Sequence, residues 1–179
     1  MRHTYNDSMG KLPGDYIAGF VDGEGCFALK FRRDIRRERK GNPVYFYWDV
    51  EFAILLHVDD KEILEKIRHT LDCGKISIAK RGAVRYAVNQ INDLDAKIVP
   101  FFEKYKLHAK KKYDFLLWKE AVKIFRRNQR VAINSEKGKD GFQRTAWNPN
   151  DLRRLKEIYL ETRKHKGGHR EFKWLEKIN

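Results

Sequence analysis

The chain has 179 residues, and 39 Lys and Arg against 25 Asp and Glu leave a formal net charge of +14. This length is one domain, or one with a short extension, and can bury roughly two thirds of its unfolded surface. Hydrophobic content of 41% excludes global disorder, the longest apolar runs (such as 53–56) fall far short of the ~20 residues of a membrane span, and Cys26 and Cys73 are too few and too far apart for a zinc site or a disulfide framework. The excess positive charge points to a polyanionic partner, nucleic acid being the simplest. The opening MRHTYNDSMGKLPGDY has no hydrophobic leader-like run, so an intracellular, reduced protein is expected.

Residues 1–12 read as a loose arm. Pro13-Gly14-Asp15 opens a helix over 14–23, ended by the glycines at 23 and 25. CFALKFRRD then alternates Phe27, Leu29 and Phe31 with Ala28, Lys30 and Arg32, the period of a strand with one wet, basic face. A charged turn covers 34–42. In VYFYWDVEFAILL, Trp48, Val50, Phe52 and Ile54 share one face; Tyr47, Asp49, Glu51 and Ala53 share the other. An amphipathic helix is expected over 59–71, with Ile63, Leu64 and Ile67 at helical spacing. A second hairpin follows: KISIAK with Ile76 and Ile78 inward, a turn at Arg81-Gly82, and VRYAVNQI with Val84, Tyr86 and Val88 inward. Helices are expected over 93–104, bent or shortened by Pro100, and over 109–127 with an apolar stripe from Phe115 to Phe125. Residues 128–146 read as a loop, Asn148-Pro149-Asn150-Asp151 caps a last helix, and a basic tail closes the chain.

The pattern is α+β: a four-stranded antiparallel sheet with its helices on one face, the other face free and carrying Lys30, Arg32, Lys75 and Arg85. Such a sheet can lie in a major groove. The organisation is an arm (1–12), a core (13–127) and a basic C-terminal extension of the same domain (128–179).

Ile17-Ala18-Gly19-Phe20-Val21-Asp22-Gly23-Glu24-Gly25 resembles the signature of LAGLIDADG homing endonucleases, with Glu24 in place of the second aspartate of that name. EFAILLHVDDKEILEKI, CGKI, VRYAV and IVPFFEKYKLHAKKKYDFLLW follow in the order of the single-motif branch, so the resemblance runs from about Leu12 to Phe125. It implies the αββαββα fold of that family.

Small residues at Ala18 and Gly19 let another helix approach closely. With one motif copy, that helix is expected from a second copy of the chain in a two-fold homodimer, with Ala18, Gly19 and Asp22 at the contact. Two Glu24 carboxylates at the axis would repel, and a divalent cation, Mg2+ or Mn2+, relieves this. Acids at a helix C-terminus oppose its dipole, so Asp22 and Glu24 are costly there unless they serve a purpose. The resemblance further implies the Gly23 carbonyl as a metal ligand beside Glu24, and Lys111 or Lys110 as an active-site cation. It also implies a polar, water-holding residue at the end of the second strand. Leu56 departs from that pattern, and His57 beside it is either the substitute or a plain strand-end histidine.

On the free sheet face, Lys30, Arg32, Ser77 and Arg85 are candidates for guanine edges or phosphates. Asp49 and Glu51 are candidates for cytosine N4 or for salt bridges across the sheet. Asn89 is a candidate for adenine, Lys75 for phosphate, and Tyr45 and Tyr47 for thymine methyls or sugars. The function implied is a homodimeric, metal-dependent, site-specific double-strand DNA endonuclease. It would cut a long pseudo-palindromic site to short 3′ overhangs and initiate intron homing, in the cytoplasm, nucleoid or an organelle. The alternatives are an intron RNA maturase, whose partner is RNA, and a cleavage-inactive DNA-binding protein.

Overall fold

The computed structural model describes residues 10–35, 37–38, 40–42, 44–79, 82–133 and 147–164. The arm up to residue 9, Arg81 of the expected turn, most of the 128–146 loop and the tail after 164 lie outside the described residues. The elements are α1 (Gly14–Glu24), β1 (Gly25–Ile35), β2 (Val44–His57), α2 (Lys61–Leu71), β3 (Lys75–Ala79) and β4 (Ala83–Val88). They continue with α3 (Ile91–Asp93), a π-helical turn (Leu94–Ile98), α4 (Val99–Lys104), α5 (Lys111–Ile133) and α6 (Pro149–Lys164). The strands form one antiparallel sheet in the order β1-β2-β4-β3. This is the expected α+β, αββαββα architecture.

The alternation of apolar residues gives the sheet its buried side. Phe27, Val50, Phe52, Ile54, Val84, Tyr86 and Val88 face a core closed by α1, α2, the 91–104 helical stretch and α5. Aromatic rings dominate its centre: Phe27 lies 5.1–5.4 Å, centroid to centroid, from Phe52, Phe102, Phe115 and Trp118. Each such pair contributes about 0.5–1.5 kcal/mol beyond its buried area. Gly25 joins α1 to β1 where nothing larger fits, because a Cβ there would come within 2.5 Å of Val21 Cγ1 and 2.8 Å of the Val21 carbonyl.

The structure departs from the sequence expectations in four places. Ile78 is 64% exposed instead of inward, on β3, the edge strand of the sheet. Ala53 and Glu51, on the face expected to be wet, are buried in the middle of the central strand β2. Pro100 does not shorten the helix, which runs on to Lys104. A π turn precedes it, with the Val99 N–H reaching the Leu94 carbonyl, and Pro100 falls at the start of α4, where its missing N–H costs least. Finally, α5 continues to Ile133, so residues 128–133 are helical rather than loop.

A second, smaller core joins α6 to α5 and to the far end of the β1–β2 hairpin. It contains Phe31, Trp48, Ile124, Leu155, Ile158 and Tyr159. Asp151 at the start of α6 is buried and accepts from Arg127 Nε and from Asn128 Nδ2 (2.7 Å), both on α5. Arg154 clasps Glu120 at 2.7 and 2.8 Å. As expected, Asn148 caps α6, its Oδ1 accepting from the Asn150 N–H at 2.9 Å.

Candidate active site and sheet face

The acidic end of α1 is held from outside the helix. Its last turn contains no basic residue. Lys111, the first residue of α5, supplies the charge instead, donating from Nζ to the carbonyls of Asp22 (2.9 Å) and Gly23 (2.6 Å). A cation on the last carbonyls of a helix satisfies orphan acceptors and complements the dipole. Asp22 turns back into the chain, its Oδ2 accepting from the backbone N–H groups of His108 (2.6 Å) and Ala109 (3.1 Å) just before α5. Its Oδ1 is buried and has no hydrogen-bond partner among the described residues. Glu24, the final helical residue, is exposed.

Of the expected cations, Lys111 therefore stands at the motif. Lys110 is exposed and contributes its carbonyl to the Tyr113 N–H, while Lys112 lies over the Tyr113 ring, 5.0 Å from its centroid. The Gly23 carbonyl, expected as a metal ligand, is exposed and accepts from Lys111; a carbonyl has a second lone pair. The expected dimer residues separate. Gly19 is exposed, and a Cβ there would meet nothing within 4 Å. Ala18 does not share that face: it is 2% exposed and packs into the chain's own core, so its small size serves the monomer. Asp22 is engaged as the clamp on the segment before α5.

The free sheet face is a lattice of ion pairs. Arg32 meets Asp49 at 3.1 Å and lies over the Tyr47 ring, 4.9 Å from its centroid. Glu51, only 7% exposed, lies between Lys30 (2.6 Å) and Arg85 and accepts from both. Burial pushes its carboxyl up, but the hydrogen bonds and charges of Arg85 and Lys30 outweigh that and hold it below the ordinary carboxylate range. Asp49 and Glu51 are thus satisfied by cross-strand pairing, the second of the two roles read from the sequence. Lys75, Ser77 and Asn89 are exposed, Asn89 just past the end of β4.

The strand-end position needs a correction of parity. Leu56 packs toward the core. The free face at this end of β2 carries Leu55, which is 55% exposed and registered against Arg85, followed by His57. Continuing the alternation from Glu51 through Ala53 reaches Leu55, so the signal was in the sequence. His57 is exposed, and its Nδ1 accepts from the Asp59 N–H at 3.4 Å as the cap of the short turn before α2.

A family model described as LAGLIDADG endonuclease matches residues 17–122. The chain belongs to the LAGLIDADG endonuclease family. The match includes the α1 motif, the four strands and Lys111, and it stops before the end of α5, so α6 lies beyond it. Among curated proteins, the chain is similar to a probable intron-encoded DNA endonuclease 1 from Mycosarcoma maydis, 34% identical over 101 residues. That alignment takes in 56% of this chain and 34% of the relative. The chain spans about a third or less of the length of the curated relatives it matches. Among solved structures it is similar to the homing endonuclease I-TnaI, with 26% identity and a TM-score of 0.65 over 85% of this chain and 88% of that one. It also shares the fold of I-SmaMI bound to an uncleaved DNA target in the presence of calcium ions, with 23% identity and a TM-score of 0.65 over 84% of this chain and 45% of that one. Among the described residues, no helix is long and apolar enough to cross a membrane.

Proposed function

We propose that the protein is a homodimeric, site-specific endonuclease for double-stranded DNA that requires Mg2+ (or Mn2+). In this reading it cuts a long pseudo-palindromic site to short 3′ overhangs and so initiates intron homing, in an intracellular compartment, an organelle among them. The observation that carries the reading is the end of α1. An exposed carboxylate, Glu24, stands where α1 passes into β1, and the ammonium of Lys111 is bound to the neighbouring carbonyl.

Pairing is supported by the free side of α1. Tyr16, Gly19 and Gly23 follow one another at intervals of three and four residues, all exposed, and the two glycines leave the backbone bare. The same fold unit takes up 88% of I-TnaI and 45% of I-SmaMI, proportions that fit one unit per chain in the first and two in the second.

Among the described residues, no three His, Cys, Asp or Glu side chains converge. The Glu24 carboxylate and the Gly23 carbonyl are hard oxygen donors, which suit Mg2+ or Mn2+, and two-fold pairing doubles the set. A divalent cation bound there supplies Lewis acidity toward the scissile phosphate. Lys111 holds the carbonyl in place and adds positive charge where negative charge develops on the reacting phosphate. Asp22 ties the segment before α5 to α1 and so fixes where Lys111 enters. Lys75 and the paired cations Lys30, Arg32 and Arg85 present positive charge to the DNA backbone and base edges.

The apolar Leu55 at the strand end favours one rival reading, a protein of this fold that binds DNA without cutting it. DNA carrying the uninterrupted insertion site separates the two. Cleavage is expected with Mg2+ and binding alone with Ca2+, and Glu24→Gln should bind the duplex without cutting it. Cleavage that survives in Glu24→Gln would overturn the assignment; binding with no cleavage in Mg2+ or Mn2+ would favour the rival.

A further inference from the structure

Two cations lay claim to one oxygen at the end of α1. Lys111 donates from Nζ to the carbonyls of Gly23 (2.6 Å) and Asp22 (2.9 Å). In the endonuclease reading, the Gly23 carbonyl is also the oxygen that joins Glu24 in holding a divalent cation. Its second lone pair leaves room for one more bond. It does not remove the repulsion between an ammonium and a divalent cation held on the same atom, which grows as their separation shrinks. A divalent cation on that carbonyl therefore binds weakly while the ammonium stays, and more tightly once it leaves.

The surroundings of Lys111 leave its side chain as the part that moves. Asp22 Oδ2 accepts from the N–H groups of His108 (2.6 Å) and Ala109 (3.1 Å), which ties the segment before α5 to the end of α1. Lys111 is the first residue of α5, so its backbone is held close to the two carbonyls while its flexible four-carbon stem can turn away. Its neighbours do not share the contact: Lys110 is exposed, and Lys112 lies over the Tyr113 ring, 5.0 Å from its centroid. An ionised phosphate outbids a neutral carbonyl for an ammonium, because hydrogen bonds between charged partners are about twice as strong.

We propose that Lys111 and a divalent cation compete for the Gly23 carbonyl, and that a DNA phosphate, by drawing the ammonium off, opens this oxygen to the cation. Metal binding and DNA binding are then coupled through one side chain. The coupling is reciprocal: DNA tightens the cation by the same factor by which the cation tightens DNA. Away from DNA the chain holds Mg2+ or Mn2+ weakly, and the reactive centre is completed only on its substrate. The inference deepens the endonuclease reading and rests on it for the ligands Glu24 and Gly23 and for the DNA partner.

The test measures Mn2+ binding to the full chain without DNA, from the electron paramagnetic resonance signal of the free ion. Lys111→Met should tighten Mn2+ about tenfold, the scale of one hydrogen bond to a charged group. Lys111→Arg keeps a cation at the carbonyl and should bind Mn2+ as the native protein does, whereas a purely structural role of Lys111 would shift both variants together. Lys110→Met removes the same charge one residue away and should change the affinity far less. The gain should vanish in Lys111→Met/Glu24→Gln. A second readout also needs no cleavage: Ca2+ should tighten binding of a fluorescein-labelled duplex carrying the insertion site, read by anisotropy, about tenfold less in Lys111→Met than in the native protein. Mn2+ affinity unchanged or weakened in Lys111→Met, or an equal gain in Lys111→Arg or Lys110→Met, would overturn the proposal and leave the endonuclease reading standing. A gain that survives Glu24→Gln, or no Mn2+ bound by any of these proteins together with no effect of Ca2+ on the duplex, would overturn both.

Discussion

Replacing Glu51 with Gln tests whether the free sheet face is held in order by a buried carboxylate. Glu51 accepts from Lys30 at 2.6 Å and from Arg85, and its backbone carbonyl accepts from Trp118 Nε1 at 3.1 Å, so the variant disturbs the side chain on an anchored strand. Hydrogen bonds to charged groups contribute about 1.5–3 kcal/mol each. The Lys30 and Arg85 side chains are 40% and 33% exposed, so solvent screens both and roughly half of that gain is retained. Glu51→Gln should therefore cost about 2 kcal/mol and lower Tm by about 4–8 °C, at about 2–4 °C per kcal/mol for this chain length. The sign with pH follows from a carboxyl held below its ordinary value. Its contribution is complete above the unfolded pKa of about 4.3 and is lost as pH falls through the lower folded value. The Tm gap between the two proteins should be full at pH 7 and close in acid. At the same time Lys30 and Arg85 are released toward solvent, so binding to non-specific duplex should tighten. The slope of log K against log salt should steepen by up to about 1.8, at about 0.9 per phosphate contact. Thermal denaturation at pH 7 and pH 3.5, with anisotropy against salt, measures both effects. Equal Tm values at pH 7, or a gap that widens in acid, would refute the reasoning.

Two further perturbations reach other parts of the molecule. Asp151→Ala removes the buried acceptor of Arg127 and Asn128 and should cost about 2–3 kcal/mol. Because α6 covers Trp48, tryptophan emission should shift to the red in the variant, and an unshifted spectrum would separate α6 from the hairpin. Gly19→Leu adds a side chain where nothing lies within 4 Å, so the single chain should keep its fold and gain up to about 1 kcal/mol of helix propensity. If the bare face of α1 is the contact between copies, light scattering should report half the mass of the native protein; an unchanged mass would place the contact elsewhere.

Much of the site was legible before any tertiary structure. The period-two alternation placed Lys30, Arg32 and Arg85 on the free face, and the glycines after Val21 placed Glu24 at a helix end. The same reading erred or stayed open wherever a distant partner decides. Ala18 and Gly19 are neighbours of similar size, yet one fills the core and the other lies bare, because the direction of each side chain around α1 depends on which side the sheet takes. Nothing in a run of three lysines distinguishes Lys111 from Lys110. The choice is made by α5, which starts at Lys111 and points that side chain at the carbonyls of Asp22 and Gly23.

Burial is the other divide. Glu51 reads as a wet sheet residue by parity, but it lies on a central strand between two long cations that cover it. Ile78 reads as an inward residue, but it lies exposed on the edge strand. Periodicity, composition and one nine-residue motif determine the order of elements, the side of each strand that is apolar and the acid that ends α1, because these are local properties of the backbone. Which acids are paired, which lysine stands at the helix end and what α6 covers are decided only when segments far apart in the chain meet, because those contacts follow from packing geometry that local pattern does not encode.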